Sequence, residues 1–179
     1  MVNYKNYARY SFMFMWNSLF CKLPSYKVRY YILKYIYRAN LGKCTIHRNV
    51  TFFSPWKLKV GDNSNIQMGT FIDCRGGVEI GNNVDITLGV KILSQYHDIN
   101  SSDYKTVSKQ IIISDYCILG SYCLVLPGAS LYQGAVLGAG SVLTKYAKEY
   151  SLYCGNPAEL KKPRSSNLSY DPYYKRPFH

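Results

Sequence analysis

Residues 111–145 read IIISDYCILGSYCLVLPGASLYQGAVLGAGSVLTK, and within them Ile113, Leu119, Val125, Leu131, Leu137 and Leu143 fall at every sixth position. Two places ahead of each stands a second file, Ile111, Cys117, Cys123, Ala129, Ala135 and Ser141, small after its first member. A fixed hexapeptide period is a β-helix signature, because each coil buries its apolar side only by stacking on its neighbours. One large inward residue per six, flanked by small ones, suits a coil with three flat sides and tight corners. The period returns upstream in Val60, Ile66 and Ile72 and, after two extra residues, in Ile80, Ile86 and Ile92. Gly61, Gly81, Gly120 and Gly138 each follow such an aliphatic residue, and are expected to accept backbone conformations that other residues resist. An antiparallel barrel or sandwich would alternate with period two and turn through hairpins. Between Ile111 and Lys145 no Asn-Gly or Asp-Gly pair offers such a turn.

A chain of 179 residues fits one domain able to bury a core. Cys117 and Cys123 sit in the small-residue file and Cys74 in the upstream repeat, so the cysteines read as buried hydrophobes rather than a disulfide framework. No paired Cys-x-x-Cys spacing suggests zinc, no secretory cleavage signal is visible, and a reducing, cytoplasmic setting is expected. The net charge is +12, and the first acidic residue is Asp62. Lys5, Arg9, Lys22, Lys27, Arg29, Lys34, Arg38 and Arg48 therefore form a purely basic leading segment that points to an anionic partner. No reading motif accompanies it, which argues against nucleic acid.

Three regions follow. Residues 1–40 leave the hexad and read as an N-terminal helical segment. Ser25 after Pro24 is a helix cap, and Val28, Ile32, Tyr35 and Ile36 recur at helical spacing, with Lys27, Lys34 and Arg38 elsewhere on the surface. Tyr10–Cys21 is apolar and aromatic but too short to cross a bilayer. Two readings stand: a cap on the solenoid's open end, or an interfacial anchor giving peripheral membrane contact. Residues 41–146 are the solenoid, an all-β fold of about five coils, interrupted by an inserted loop at 94–109, SQYHDINSSDYKTVSK. Residues 147–179, with Pro157, Pro163, Pro172 and Pro177, are expected to leave the coil as an irregular tail running back along its outside.

The chemistry is expected in the loop, since loops raised from a rigid scaffold often carry it. Of the three histidines, His47 lies in the first turns, His179 is terminal, and His97 sits in the loop beside Asp98. Imidazole is the side chain suited to move a proton near neutral pH.

Five stretches, PWKLKVGDNSNI from Pro55, IDCRGGVEIGNNVDI from Ile72, QYHDI around His97, VLGAGSVLTK ending at Lys145 and GNPAELKK from Gly155, together resemble the hexapeptide-repeat O-acetyltransferases. The branch most similar acetylates sugars of bacterial surface polysaccharides. The resemblance spans about Pro55 to Arg164, and runs more weakly through the N-terminal helices. It implies a left-handed parallel β-helix, although crossover connections elsewhere are right-handed. It implies acetyl-CoA as cosubstrate, no metal, and a homotrimer with sites between neighbours. The acceptor would be a sugar, nucleotide-sugar or lipid-linked glycan. His97 matches the family's general base. Asp98 would orient the ring or bind the acceptor, and Asp73 would face the acceptor or else bond Arg75. Gly120, Ser121, Gly138, Ala139, Thr144 and Lys145 match the coenzyme groove, with corner packing a further reading for the glycines. Amide groups of the coil would stabilise the oxyanion, and Lys161, Lys162 and Arg164 would reach the nucleotide phosphates. Glu159 departs, standing where a cation is usual, and Ile118 replaces a common tryptophan. A metal-dependent carbonic anhydrase on this scaffold would need three histidine ligands, which these positions do not offer. The remaining alternatives are a non-catalytic solenoid or an acetyltransferase of a small non-sugar acceptor.

Overall fold

The computed structural model describes residues 4–173; Pro177 and His179 lie outside them. It is a parallel β-solenoid behind an N-terminal pair of helices. Each coil passes through three sheets in turn. The first contains Asn40–Leu41, Leu58–Val60, Val78–Ile80, Ile111–Ile113, Ser130–Leu131 and Tyr146–Ala147. The second contains Thr45–Ile46, Asn65–Ile66, Asp85–Ile86, Ile118–Leu119, Val136–Leu137 and Ser151–Gly155, and the third Thr51–Phe53, Phe71–Asp73, Lys91–Leu93, Leu124–Val125 and Val142–Leu143. Five coils are complete and a sixth has two sides, so the count exceeds the five expected. The excess lies in the segment read as tail. Ser151–Gly155 still pairs parallel with the coil before it, and only Ala158–Pro163 turns back antiparallel. Prolines at 157 and 163 stand outside the coil strand, so they do not prevent it. Beyond, the tail does return along the outside. The Arg164 guanidinium donates to the Tyr116 and Gly134 carbonyls, Tyr170 Oη to Tyr116 O, and the Lys43 ammonium lies over the Tyr173 ring.

All twelve aliphatic residues of the hexad file are buried, and so is every member of the smaller file. Successive partners are stacked in register, for example Ile118 beneath Val136 and Leu119 beneath Leu137. Dry apolar burial of this continuity is the main favourable term of the fold.

Corner glycines have a cause other than the one the sequence suggests. Gly61, Gly81, Gly120 and Gly138 are absent from the positive-φ positions. They are needed for space: a Cβ at Gly120 would lie 2.4 Å from Ala139 N, and one at Gly61 would lie 2.7 Å from the Gly81 carbonyl. The left-handed corners are taken by Gly89, Gly134 and others, and by Tyr122 and Tyr150, whose rings cover Gly89 and Gly134 on adjacent coils.

Helix α1 (Tyr4–Ser18) and helix α2 (Tyr26–Tyr31), extended by a π turn at Ile32–Ile36, close the first coil. Ser25 caps α2, accepting from Val28 N at 3.4 Å. The buried face differs from the one expected. It is Arg29, Leu33 and Tyr37, whereas Val28, Tyr35 and Ile36 are exposed. The reason is the open edge: first-coil carbonyls such as Ile46 O have no preceding coil to bond. Side-chain donors supply them. Trp16 Nε1 donates to Val50 O at 3.0 Å, Asn17 Nδ2 to Phe52 O at 3.0 Å, and Lys34 Nζ to Leu41 O at 2.9 Å. Arg29 donates through Nε and Nη2 to Ile46 O at 3.2 and 3.1 Å and through Nη1 to Leu23 O. Burial, with Arg48 nearby, pulls its guanidinium down to about 10, still charged at neutral pH.

Three consequences are measurable. Arg29→Leu strands the buried Ile46 carbonyl and the partly buried Leu23 carbonyl, and should lower unfolding free energy by roughly 2–4 kcal/mol in urea titration. Gly120→Ala forces backbone against backbone, and should cost about 1–3 kcal/mol in the same assay. All six cysteines are free, and burial pushes the Cys44, Cys117 and Cys123 thiols from 9.0 up to about 12. Thiols held protonated when folded stabilise fully below pH 9.0 and lose that contribution as pH rises towards about 12. The melting temperature should therefore fall from pH 9 upward, and Cys117→Ala/Cys123→Ala should flatten the decline; equal slopes in both proteins would contradict it.

Candidate active site at the hairpin corner

All the irregularity of the first three coils collects at one corner, between the third sheet and the next first-sheet strand. The first coil has the Pro55–Lys57 helical turn there, the second the two extra residues between Asp73 and Val78, and the third the inserted loop. That loop is a hairpin, Gln95–His97 against Thr106–Ser108, with His97 opposite Thr106. Its stalk is fixed at the base. Buried Ser94 accepts the Gly76 N–H on its Oγ at 2.7 Å and the Lys109 N–H on its carbonyl at 2.8 Å. A Cβ at Gly76 would lie 2.6 Å from Ser94 O, so only glycine lets the stalk close.

His97 is exposed at the hairpin's outer end. Its Nδ1 lies 2.9 Å from the Tyr104 carbonyl, and its ring is stacked on the Tyr104 ring with centroids 3.9 Å apart and 11° between planes. A carbonyl only accepts, so Nδ1 carries the hydrogen and Nε2 of the neutral ring holds a lone pair. Thr106 Oγ1 also lies 3.4 Å from Nδ1. Asp98, beside it, accepts Asn100 N on Oδ1 at 3.0 Å and closes the loop. The orienting group is the Tyr104 carbonyl. A main-chain acceptor has no sequence signature, but Tyr104 does sit within the loop that breaks the period.

Asp73 is buried and bound by Arg75, with Nε to Oδ1 at 2.9 Å and Nη2 to Oδ2 at 2.8 Å. Of the two readings of Asp73, the structure displays the ion pair. The half-exposed Arg75 lies over Phe53 with its guanidinium carbon 4.9 Å from the ring centroid. Together with Arg9, Tyr10, Met13, Ser54 and Trp56 they line a cavity of about 150 Å³. Neither α1 nor Trp56 was singled out for this corner from the sequence, since both reach it through tertiary packing alone.

Residues expected along the coenzyme groove divide between two corners. Gly120 and Ser121, and Gly138 and Ala139, turn from the second sheet into the third; Thr144 and Lys145 turn from the third into the first, two coils beyond the hairpin. Ala139, Thr144, Lys145 and Lys162 are exposed. Gly120 and Gly138 pack closely on the next coil, against Ala139 and Cys154. Arg164 is committed to main-chain carbonyls, and Lys161 pairs at 3.5 Å with Glu159. His47 is buried in the first coil with Nε2 2.9 Å from Asn65 Oδ1. Among the described residues no group of three His, Cys, Asp or Glu side chains gathers around a common point.

Residues 110–145 match the family described as the hexapeptide repeat of succinyl-transferase. No curated protein sequence matches the chain. Solved structures do. A hexapeptide-repeat acetyltransferase of Vibrio cholerae in complex with acetyl coenzyme A superposes with a TM-score of 0.84 at 17% identity, over 92% of each chain. A maltose O-acetyltransferase of Clostridium difficile gives 0.79 at 22% identity, over 92% of this chain and 90% of its own. A galactoside acetyltransferase in complex with coenzyme A gives 0.77 at 19%, over 97% and 89%. Repeat and architecture thus agree with the left-handed β-helix that the sequence resemblance implied, and the chain is a hexapeptide-repeat solenoid with the fold of these acetyltransferases.

Proposed function

We propose that the protein transfers an acetyl group from acetyl-CoA to a hydroxyl of a sugar or glycan acceptor in bacterial surface-polysaccharide synthesis. The observation that carries the reading is the held imidazole: Nδ1 tied to the Tyr104 carbonyl, ring stacked, and the residue exposed on the hairpin. In the reaction Nε2 takes the hydroxyl proton while the acceptor oxygen forms a bond to the thioester carbonyl carbon. The tetrahedral oxyanion collapses, the carbon–sulfur bond breaks, and the imidazolium returns its proton to the departing thiolate. A positioned base contributes about 10²–10⁴-fold, and holding both substrates in place supplies much of the rest.

Coenzyme would lie along Gly138, Ala139, Thr144 and Lys145, with Lys162 towards its phosphates. A homotrimer fits this division, because His97 and the Gly120 and Gly138 corner occupy opposite edges of the third sheet in one chain. A neighbour's corner would face the hairpin. Buried, unpaired thiols suit a reducing cytoplasmic setting. The Asp73–Arg75 pair beside the small cavity is the place for the acceptor, with the exposed edge of Arg75 as the contacting group. Two of the three similar solenoids named above are sugar acetyltransferases, which supports a sugar hydroxyl over a small non-sugar one.

Purified protein with acetyl-CoA and a panel of sugars, nucleotide-sugars and lipid-linked glycans should release thiol, read colorimetrically. His97→Ala should lower kcat by about 10²–10⁴-fold with little change in melting temperature, because the ring is exposed. Equal turnover in both proteins would reject His97 as the base. No turnover with any acceptor, and no calorimetric binding of coenzyme A, would favour the non-catalytic solenoid.

A further inference from the structure

The helices that close the first coil have a second face with no partner among the described residues. Met13 and Trp16 of α1 point inward and are buried, whereas Tyr10, Phe14 and Leu19 turn outward at 64%, 71% and 58% exposure. On the second segment Leu33 is buried while Tyr35 and Ile36 are 67% and 53% exposed. Between the two segments runs an open apolar groove of about 320 Å³ lined by Phe12, Ile36, Tyr37 and Trp56, with Arg9 and Arg38 beside it. Arg9 lies over the Trp56 ring at 5.7 Å, and neither arginine has a carboxylate partner among the described residues.

Capping accounts for only some of the basic residues here. Arg29 and Lys34 donate to first-coil carbonyls. Arg9, Lys22, Lys27 and Arg38 are exposed and have no such duty. No acidic residue precedes Asp62. A surface that mixes exposed aromatic and aliphatic side chains with unopposed cations matches the headgroup boundary of an anionic bilayer, where aromatic rings sit at the interface and each cation gains from the negative surface potential. A second copy of this face suits it poorly. An isologous contact would set like charges against each other with no anion between them. No helix among the described residues is long and apolar enough to cross a membrane, so the contact is lateral.

We infer that the outward face of α1 and the α2 segment is a docking surface for an anionic phospholipid bilayer, with the Arg9 and Arg38 groove at headgroup depth. The corner cavity shares Arg9 and Trp56 with that groove. Docking therefore sets the hairpin corner beside the lipid surface. The inference itself does not depend on acetyl transfer.

Cosedimentation of the full chain with vesicles tests it. Binding is expected to vesicles of mixed phosphatidylcholine and phosphatidylglycerol and to fall on adding salt, with phosphatidylcholine alone binding far less. Phe14→Ser/Leu19→Ser and, separately, Lys22→Gln/Lys27→Gln should each reduce the partition coefficient on the order of tenfold. Their melting temperatures should stay at the wild-type value, since all four side chains are exposed. Absence of wild-type binding to the anionic vesicles, equal binding to neutral ones, or unchanged binding by both variants would overturn the inference. So would a change of oligomeric state in Phe14→Ser/Leu19→Ser by sedimentation velocity without lipid, which would assign the face to a second copy. Thioester turnover measured on the same proteins without vesicles keeps this result separate from the reading of His97.

Discussion

A stack of parallel coils leaves main-chain groups of its first coil with no coil to bond, and the rest of this molecule is arranged around that fact. At Thr45, Asn65, Asp85, Ile118 and Gly138 the backbone N–H donates to a carbonyl of the following coil. Elsewhere, as at Asn63, Cys74 and Asn83, the N–H donates back to the preceding coil, so the stack begins on an edge where both carbonyls and N–H groups lack a coil partner, and such an edge left open templates aggregation. Both donors and acceptors are needed to satisfy it. The cap presents Trp16, Asn17, Arg29, Tyr30 and Lys34, all of which donate to first-coil main-chain oxygens. Asn17 does more, because its Oδ1 also accepts Phe52 N at 3.0 Å. A fully buried guanidinium is costly in a core, yet here it faces main-chain oxygens that have no coil to bond, so its desolvation is offset by their satisfaction. The opposite end needs no comparable device in the second sheet, where Ala158–Pro163 folds back as an antiparallel strand.

Corners are governed by how closely successive coils approach. Asp62, Asn82 and Asp115 form a ladder up one of them, each side chain taking an N–H from the coil below: Lys43 N on Asp62 Oδ1, Asp62 N on Asn82 Oδ1, Asn82 N on Asp115 Oδ1. Coils this close leave no room for a Cβ at Gly61 or Gly81. A corner so tightly stacked cannot admit an insertion without breaking its ladder. The third-to-first corner carries no such ladder and tolerates two extra residues in each of the first two coils and a whole hairpin in the third. That is why the loop bearing His97 rises there.

Legibility in the sequence tracks how local each cause is. The hexad file was readable because an inward side must repeat wherever coils stack, and the break after Ile92 was readable for the same reason. Where the deciding partner is distant, the pattern misleads. Val28, Ile32, Tyr35 and Ile36 look like a buried helical face, but the carbonyl edge selects Arg29, and a π turn carries the buried side on to Leu33 and Tyr37. Gly61 and Gly120 stand out in the sequence for backbone freedom, but the adjacent coil needs them for space instead. Asp98 stands next to His97 in sequence, whereas the group that fixes the ring is a carbonyl seven residues on. The sixth coil was missed because prolines at 157 and 163 frame Ser151–Gly155 without interrupting it.

The helical cap shows how one segment can hold two kinds of surface without conflict. Its inward side chains are constrained atom by atom: Trp16 must reach Val50 O, and Tyr37 Oη must reach Phe12 O at 2.6 Å. Its outward side chains meet no such demand, so a requirement of folding alone would leave them polar, as on most solvated helices. Phe14, Leu19 and Tyr35 are instead large and apolar. Exposed apolar side chains are commonplace singly, but several on adjoining segments, rimmed by cations that the cap does not use, form a patch of the kind that marks an interaction surface. Because the two faces share a backbone and no side chains, the outer one can be altered while the carbonyl edge stays covered.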